Sequence, residues 1–237
     1  MSVPRGRRFA GSASQARIRF YDASDDVRSY YTVAQALKDR RGLTRHVSAV
    51  GRGTYVLVAA LWEGFCEDFA HEAAKALVSN VSGWSDLPPA LARRISLEVK
   101  DDKHELSAWT LSGDGWRVVA LDRVDRIARS TIFNTPKTHQ VDQLFKEALG
   151  IECVSQSWVS AFAQGESPSV VLDRAMTLRG AIAHGEERER PITKKDVSLF
   201  YQLIADLVDS TELHVSKHLE RSAGLSLWRC AESSTTH

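Results

Sequence analysis

Cysteine is scarce in this 237-residue chain, with three residues in all. Cys66, Cys153 and Cys230 are odd in number, far apart, and form no Cys-x-x-Cys unit, which excludes a disulfide framework and a zinc or redox couple of that type. Reduced thiols in a cytoplasm are the natural reading. No stretch approaches the roughly 20 apolar residues that span a bilayer, so no membrane segment is expected. Nor does an apolar run follow the N-terminal arginines, as a secretory signal requires. A net charge of only +1 excludes a bulk polycation, so any nucleic-acid contact must be a local patch. Internal repeats are missing too. What remains is ordinary globular material, 43% hydrophobic and 26% charged, long enough to bury a substantial core.

The apolar periodicity is helical almost throughout, and the fold class expected is all-α. Residues 1–20 hold Arg5, Arg7, Arg8, Arg17 and Arg19 with no acid, and read as a basic, flexible leader. Residues 21–221 read as one helical domain, and 222–237 as a loosely ordered tail. The first helix is expected from Asp22 to Arg41, and the longest from His46 to Asn80. In the latter, Tyr55 to Trp62 is apolar all round and should be central to the core. Pro88-Pro89 opens a helix to about Val99. Residues 101–130 fit two short helices around Ser112-Gly113-Asp114-Gly115, with Trp116 to Val119 as an alternative strand. Further helices are expected over Thr138–Leu149, near Val154–Phe162, over Leu172–Gly185, and from Thr193 or Lys194 to about Leu219.

The helix closed by Gly185 carries the chemistry. Val171, Ala175, Leu178 and Ile182 recur at helical spacing, and Arg179 shares a neighbouring stripe with Leu172, Met176 and Ala183. A guanidinium bordering an apolar face costs several kcal/mol or so unless an anion meets it. His184 follows five residues later, about 140° further round a regular helix. One straight helix cannot aim both groups at one atom. A bend, an uncoiled last turn, or a second copy of the motif must unite them. Gly180, Ala181 and Ala183 keep the surface between them small enough for another helix to approach. Arginine can bind two phosphate oxygens at once and never loses its charge. Histidine exchanges a proton near neutral pH. The competing reading is a structural salt bridge for Arg179, with His184 favouring the helix macrodipole.

Arg179, four residues, then His184 resembles the Arg-x4-6-His motif of the HEPN superfamily, all-α domains that include many RNA-cutting toxins and defence proteins. Leu61-Trp62-Glu63-Gly64-Phe65 and Phe133-Asn134-Thr135-Pro136-Lys137, with Leu144-Phe145, are similar to the RiboL-PSP-HEPN branch from about Tyr55 to Val208. Two positions depart from the pattern. Gly180 stands where many such toxins place a polar residue, and Glu186 stands where some carry a tyrosine. The resemblance implies a HEPN-like bundle with extra helices, acting as a cytoplasmic homodimer. Its composite cleft would cut RNA without a metal or other cofactor. The 2′-hydroxyl would attack the adjacent phosphorus and leave a 2′,3′-cyclic phosphate, which DNA cannot do. A toxin or phage-defence role, restrained by an antitoxin or another defence-system protein, is also implied. The alternative is a non-catalytic HEPN module that binds nucleotides or a partner protein, and Gly180 favours it.

Glu63 is the first charge after the apolar run and shares a stripe with Glu67. It is expected within hydrogen-bonding reach of Arg179, with Glu67 as the next candidate; the plainer reading is the edge of a solvated face. Asn134, Lys137 and His139 are candidates for an RNA path. His214 and His218 have metal-ligand spacing but no metalloprotease glutamate and no third ligand, so they read as surface residues. Gly51-Arg52-Gly53 lacks the third glycine of a dinucleotide loop, and Ser167 sits in no nucleophile elbow. The six tryptophans read as packing residues rather than base-stacking platforms.

Overall fold

A computed structural model describes residues 13–38, 44–101, 107–128, 135–186 and 191–228. Among them are seven α-helices and no strand: α1 (Gln15–Lys38), α2 (Thr44–Asn80), α3 (Pro89–Asp101), α4 (Gly115–Ala128), α5 (Thr138–Leu149), α6 (Pro168–His184) and α7 (Lys194–Ala223). None is long and apolar enough to cross a membrane. The all-α expectation holds.

α2 is the axle. At 37 residues it is about 55 Å long, and α1, α4, α5, α6 and α7 all pack on it. Tyr55, Val58, Ala59, Trp62, Phe65, Cys66 and Phe69 are buried along its length. Trp62 stacks on Phe65, meets Trp158 edge-on, and donates its indole N–H to the Pro136 carbonyl at 3.1 Å. The expectation of enclosure on every side is corrected in one respect. Gly53, Ala60 and Gly64 are exposed, and Glu63 and Glu67 are half-buried on the same stripe. Small residues give a covering helix little area to bury, so that strip stays open.

The first helix begins seven residues earlier than the sequence pattern predicts, inside the segment read as a flexible leader. Charges from distant helices explain this. Both Glu72 carboxylate oxygens accept the Gln15 and Ala16 amides at 2.9 Å, and Glu212 accepts the Ser14 amide at 3.0 Å. Carboxylates at a helix N-terminus satisfy its free N–H groups and complement its dipole. Arg17 then reaches Glu212 at 2.8 Å and Asp209 at 2.9 Å, both on α7. Burial alone would lower the Arg17 pKa, but Asp209 and Glu212 outweigh it and raise it. Local sequence cannot show partners almost two hundred residues away.

Several boundaries differ from expectation. Trp116 to Val119 lies in α4, preceded by a 3-10 turn at Ser107–Leu111, because Arg117 donates to the carbonyls of Val78, Val81 and Ser82 at the end of α2. The helix expected near Val154–Phe162 is two 3-10 turns, Val154–Ser157 and Ala161–Ala163. α5 matches its expected limits and closes on Gly150 at φ 73°. Thr193 caps α7 in a reciprocal pair with Asp196. After α7, residues 224–228 have no regular structure, yet Leu225, Leu227 and Trp228 pack on the core, with Trp228 5.1 Å from the Phe69 ring.

Removing one member of the buried α1–α7 charge cluster should cost about 3–5 kcal/mol, because it strands the others away from water. Arg17→Ala is therefore expected to lower the unfolding free energy by that amount in urea titrations. Arg19→Ala, whose pair with Asp68 is exposed, should cost under about 1 kcal/mol.

Candidate functional site

α6 starts at Pro168, where the fixed φ and missing N–H suit a first turn. It runs without interruption to His184. Gly185 closes it at φ 75°, a conformation that favours glycine, and the Gly185 and Glu186 amides bond back to the last-turn carbonyls. The last turn is not uncoiled. Arg179 and His184 therefore stay about 140° apart in azimuth and about 7.5 Å apart along the axis. Within one chain they do not converge.

Arg179 is half-buried against α2, with 25% of its side chain exposed. Its guanidinium lies 3.9 Å from the Glu63 carboxylate. That is an ion pair, but it is too long for the hydrogen bond expected from sequence. No hydrogen bond to Arg179 is formed among the described residues. Its planar set of donors therefore meets one loosely placed anion and is otherwise open. Burial raises the Glu63 pKa and Arg179 lowers it, and the net shift is upward. The 3.9 Å contact does not offset the carboxylate's desolvation. Glu67 sits one turn along the same stripe and makes no ion pair with Arg179. Its pKa is raised by burial, then by Glu63 and Asp68.

His184 is exposed and has no partner among the described residues. On its side of α6 lie exposed Thr177 and half-buried Gly180, where an added Cβ would meet nothing within 4 Å. Ala183, on the edge of that face, is exposed as well. Asp173 begins this stripe, eleven residues before His184 and so only about 20° away in azimuth. Its carboxylate accepts the Thr138 amide at 2.7 Å, while the Thr138 hydroxyl donates to the Ser169 carbonyl at 3.2 Å. These two bonds moor the N-terminus of α5 to α6. Lys137 is the N-cap residue there, half-buried, and His139 is exposed in the first turn. Neither side chain has a partner among the described residues. Asn134 and Phe133 lie outside the described residues. Asp173 escaped sequence reasoning, although its place on the His184 stripe was a visible signal.

The candidate surface is open rather than enclosed. A cleft of about 340 Å³ between α6 and α7, lined by Tyr55, Phe162, Arg174, Leu178 and Phe200 among others, includes neither Arg179 nor His184. Among the described residues no group of three His, Cys, Asp or Glu side chains is arranged to hold a metal. His214 and His218 are half-buried, not the plain surface residues expected, and burial is the main cause lowering both imidazole pKa values. Among the tryptophans, Trp62, Trp116 and Trp158 are packed, whereas Trp84 and Trp109 are exposed, against expectation.

A model of the RiboL-PSP-HEPN family matches residues 19–217. The chain belongs to this family. Comparison with curated proteins and with solved structures gave no match. The family match reaches every described helix from α1 to α7 at least in part. Membership points to a nuclease-type or RNA-related module.

The upward shifts at Glu63 and Glu67 have a consequence for stability. A carboxyl group with a raised folded-state pKa binds more protons folded than unfolded, so its contribution is full below its ordinary pKa and is lost as pH rises through the raised value. Glu63→Gln is expected to flatten the decline in stability above about pH 4.3, the ordinary glutamate value. Chemical denaturation repeated between acid and neutral pH measures this slope.

Proposed function

We propose that this HEPN protein is a metal-independent endoribonuclease that works as a homodimer. The observation that carries this reading is the state of Arg179: half-buried, without hydrogen bonds, and opposed by a single carboxylate at 3.9 Å. A structural arginine is normally saturated with partners. Arg179 instead keeps its donors for an anion, and a phosphodiester fits its planar fork. Facing copies of α6 would bring Arg179 and His184 of different chains to one cleft. Exposed Gly53, Ala60 and Gly64 on α2, with Gly180 and Ala183 on α6, offer a low surface for that approach.

The chemistry needs little more. The RNA 2′-hydroxyl gives its proton to one His184 imidazole and attacks the adjacent phosphorus. The bond from phosphorus to O5′ breaks, and the leaving oxygen takes a proton from the second copy's imidazolium. Arg179 binds the non-bridging oxygens as their negative charge grows. The products are a 2′,3′-cyclic phosphate and a 5′-hydroxyl, so no water is consumed in this step. Glu63 holds Arg179 before substrate arrives, and its 3.9 Å separation lets the guanidinium leave for phosphate. A toxin or phage-defence role with a restraining partner protein fits such an activity.

Arg179→Ala and His184→Ala should each lower RNA cleavage in EDTA by at least about 10²-fold, with helical circular dichroism unchanged. End analysis of the fragments should find cyclic phosphates. Wild-type rates from His184→Ala would overturn the assignment. Nucleotide binding without any cleavage by the wild type would instead support the binding module, the reading Gly180 favours.

The dimer has its own test. Ala183→Glu is expected to shift sedimentation from dimer to monomer and to remove cleavage at the same protein concentration. A wild-type monomer at micromolar concentration would overturn the composite cleft.

A further inference from the structure

We propose that Asp173 is a positioning residue that moors Lys137 and His139 beside the His184 stripe, so that bound RNA runs along α6 from His184 to the start of α5. This deepens the ribonuclease reading and rests on it. Three observations converge. First, Asp173 and His184 lie on one stripe of an uninterrupted helix, about 16 Å apart along its axis. Thr177 and Gly180 between them are low and leave the path clear. Second, the Asp173 carboxylate accepts the Thr138 amide at 2.7 Å. Its charge is thereby engaged by the start of α5 instead of facing a phosphate. Third, the turn that carries Lys137 is gripped from the other side, where the Trp62 indole donates to the Pro136 carbonyl at 3.1 Å. The side chains of Lys137 and His139 have no partner among the described residues, while the backbone around them is tied to α2 and to α6. A cationic group held on a fixed backbone, with no anion of its own, is suited to fixing the register of a phosphate chain.

Such a role acts on binding of the strand and not on the bond being cut, so it predicts a separation of KM from kcat. Asp173→Ala should raise KM for a long RNA about tenfold, the scale of one hydrogen bond to a charged group. The kcat should stay within about twofold of wild type, because Arg179 and His184 are untouched. A dinucleotide, too short to reach Lys137, should be cut equally well by both proteins. Asp173→Asn should restore most of the lost affinity, since its amide oxygen still accepts the Thr138 N–H. Thr138→Pro removes the same link from the other side. The helix start tolerates it, because Lys137 already has φ −72° and ψ 168°, the extended conformation that precedes proline. It should reproduce the Asp173→Ala effect even where Asp173→Ala folds poorly. Lys137→Ala combined with Asp173→Ala should be less than additive.

A loss of kcat in Asp173→Ala, an equal effect on the dinucleotide, or full additivity with Lys137→Ala would each overturn the positioning role. Should the wild type cleave no RNA, the ribonuclease reading fails, and fluorescence anisotropy with a single-stranded RNA decides the inference separately. Weaker binding by Asp173→Ala and Thr138→Pro, but not by Asp173→Asn, then sustains the RNA path. Equal binding by all four proteins, or none, removes it.

Discussion

Everything in this fold is arranged by the need to cover one long helix. α2 is apolar around its middle, and five other helices pack on it to take Tyr55, Val58, Trp62, Phe65 and Phe69 out of water. Each fully buried side chain of this kind contributes about 1.5–3 kcal/mol relative to exposure. The covering is incomplete along Gly53, Ala60 and Gly64, where there is little side chain to bury. Glu63 stands at the edge of that uncovered strip. It is half out of water, has a raised pKa, and faces Arg179 on α6. The gap in the coat is thus the origin of the candidate site.

The two key arginines show how the same side chain is used in opposite ways. Arg17 is buried and meets Glu212 and Asp209 at hydrogen-bonding distance, with Tyr21 donating to Asp209 from beside it. Its charge is matched within the fold by Glu212 and Asp209, so it stabilises the join of α1 and α7. Arg179 is half-buried, has one carboxylate at 3.9 Å, and makes no hydrogen bond among the described residues. A desolvated cation held with so few partners is costly to the folded state. Under the proposed function a phosphodiester would offset that cost, whereas the N-terminal cluster already holds its own carboxylates.

Connections between helices carry a second economy. Asp173, Glu72 and Glu212 all use a carboxylate from one helix to receive the first amides of another. Each such bond satisfies donors that the helix cannot pair internally. It also sets the angle and register of the helix that it receives. At α1 the result is stability alone. At α5 the same device ties the helix start that carries Lys137 and His139 to α6.

Much of this was legible along the chain. Helical periodicity, Pro89 for α3, Gly150 for α5 and the glycine after His184 are local signals that located α3, α5 and the end of α6 closely, whereas α6 starts at Pro168, four residues before the expected Leu172. The Arg179 and His184 spacing by itself placed the two groups on different sides of the helix, because 3.6 residues per turn puts five residues about 140° apart. The Glu63–Arg179 pairing was also foreseeable, since an arginine on an apolar border needs a carboxylate from the central helix. Tertiary structure alone decided the rest. The early start of α1 depends on Glu72 and Glu212, and α4 is anchored by carbonyls at the end of α2. The 3.9 Å separation of Glu63 from Arg179 reflects how two packed helices set their distance. Asp173 gained its role only because α5 begins beside it. Periodicity and spacing are properties of neighbours in sequence, whereas desolvation and charge pairing depend on which distant groups the packed core brings together.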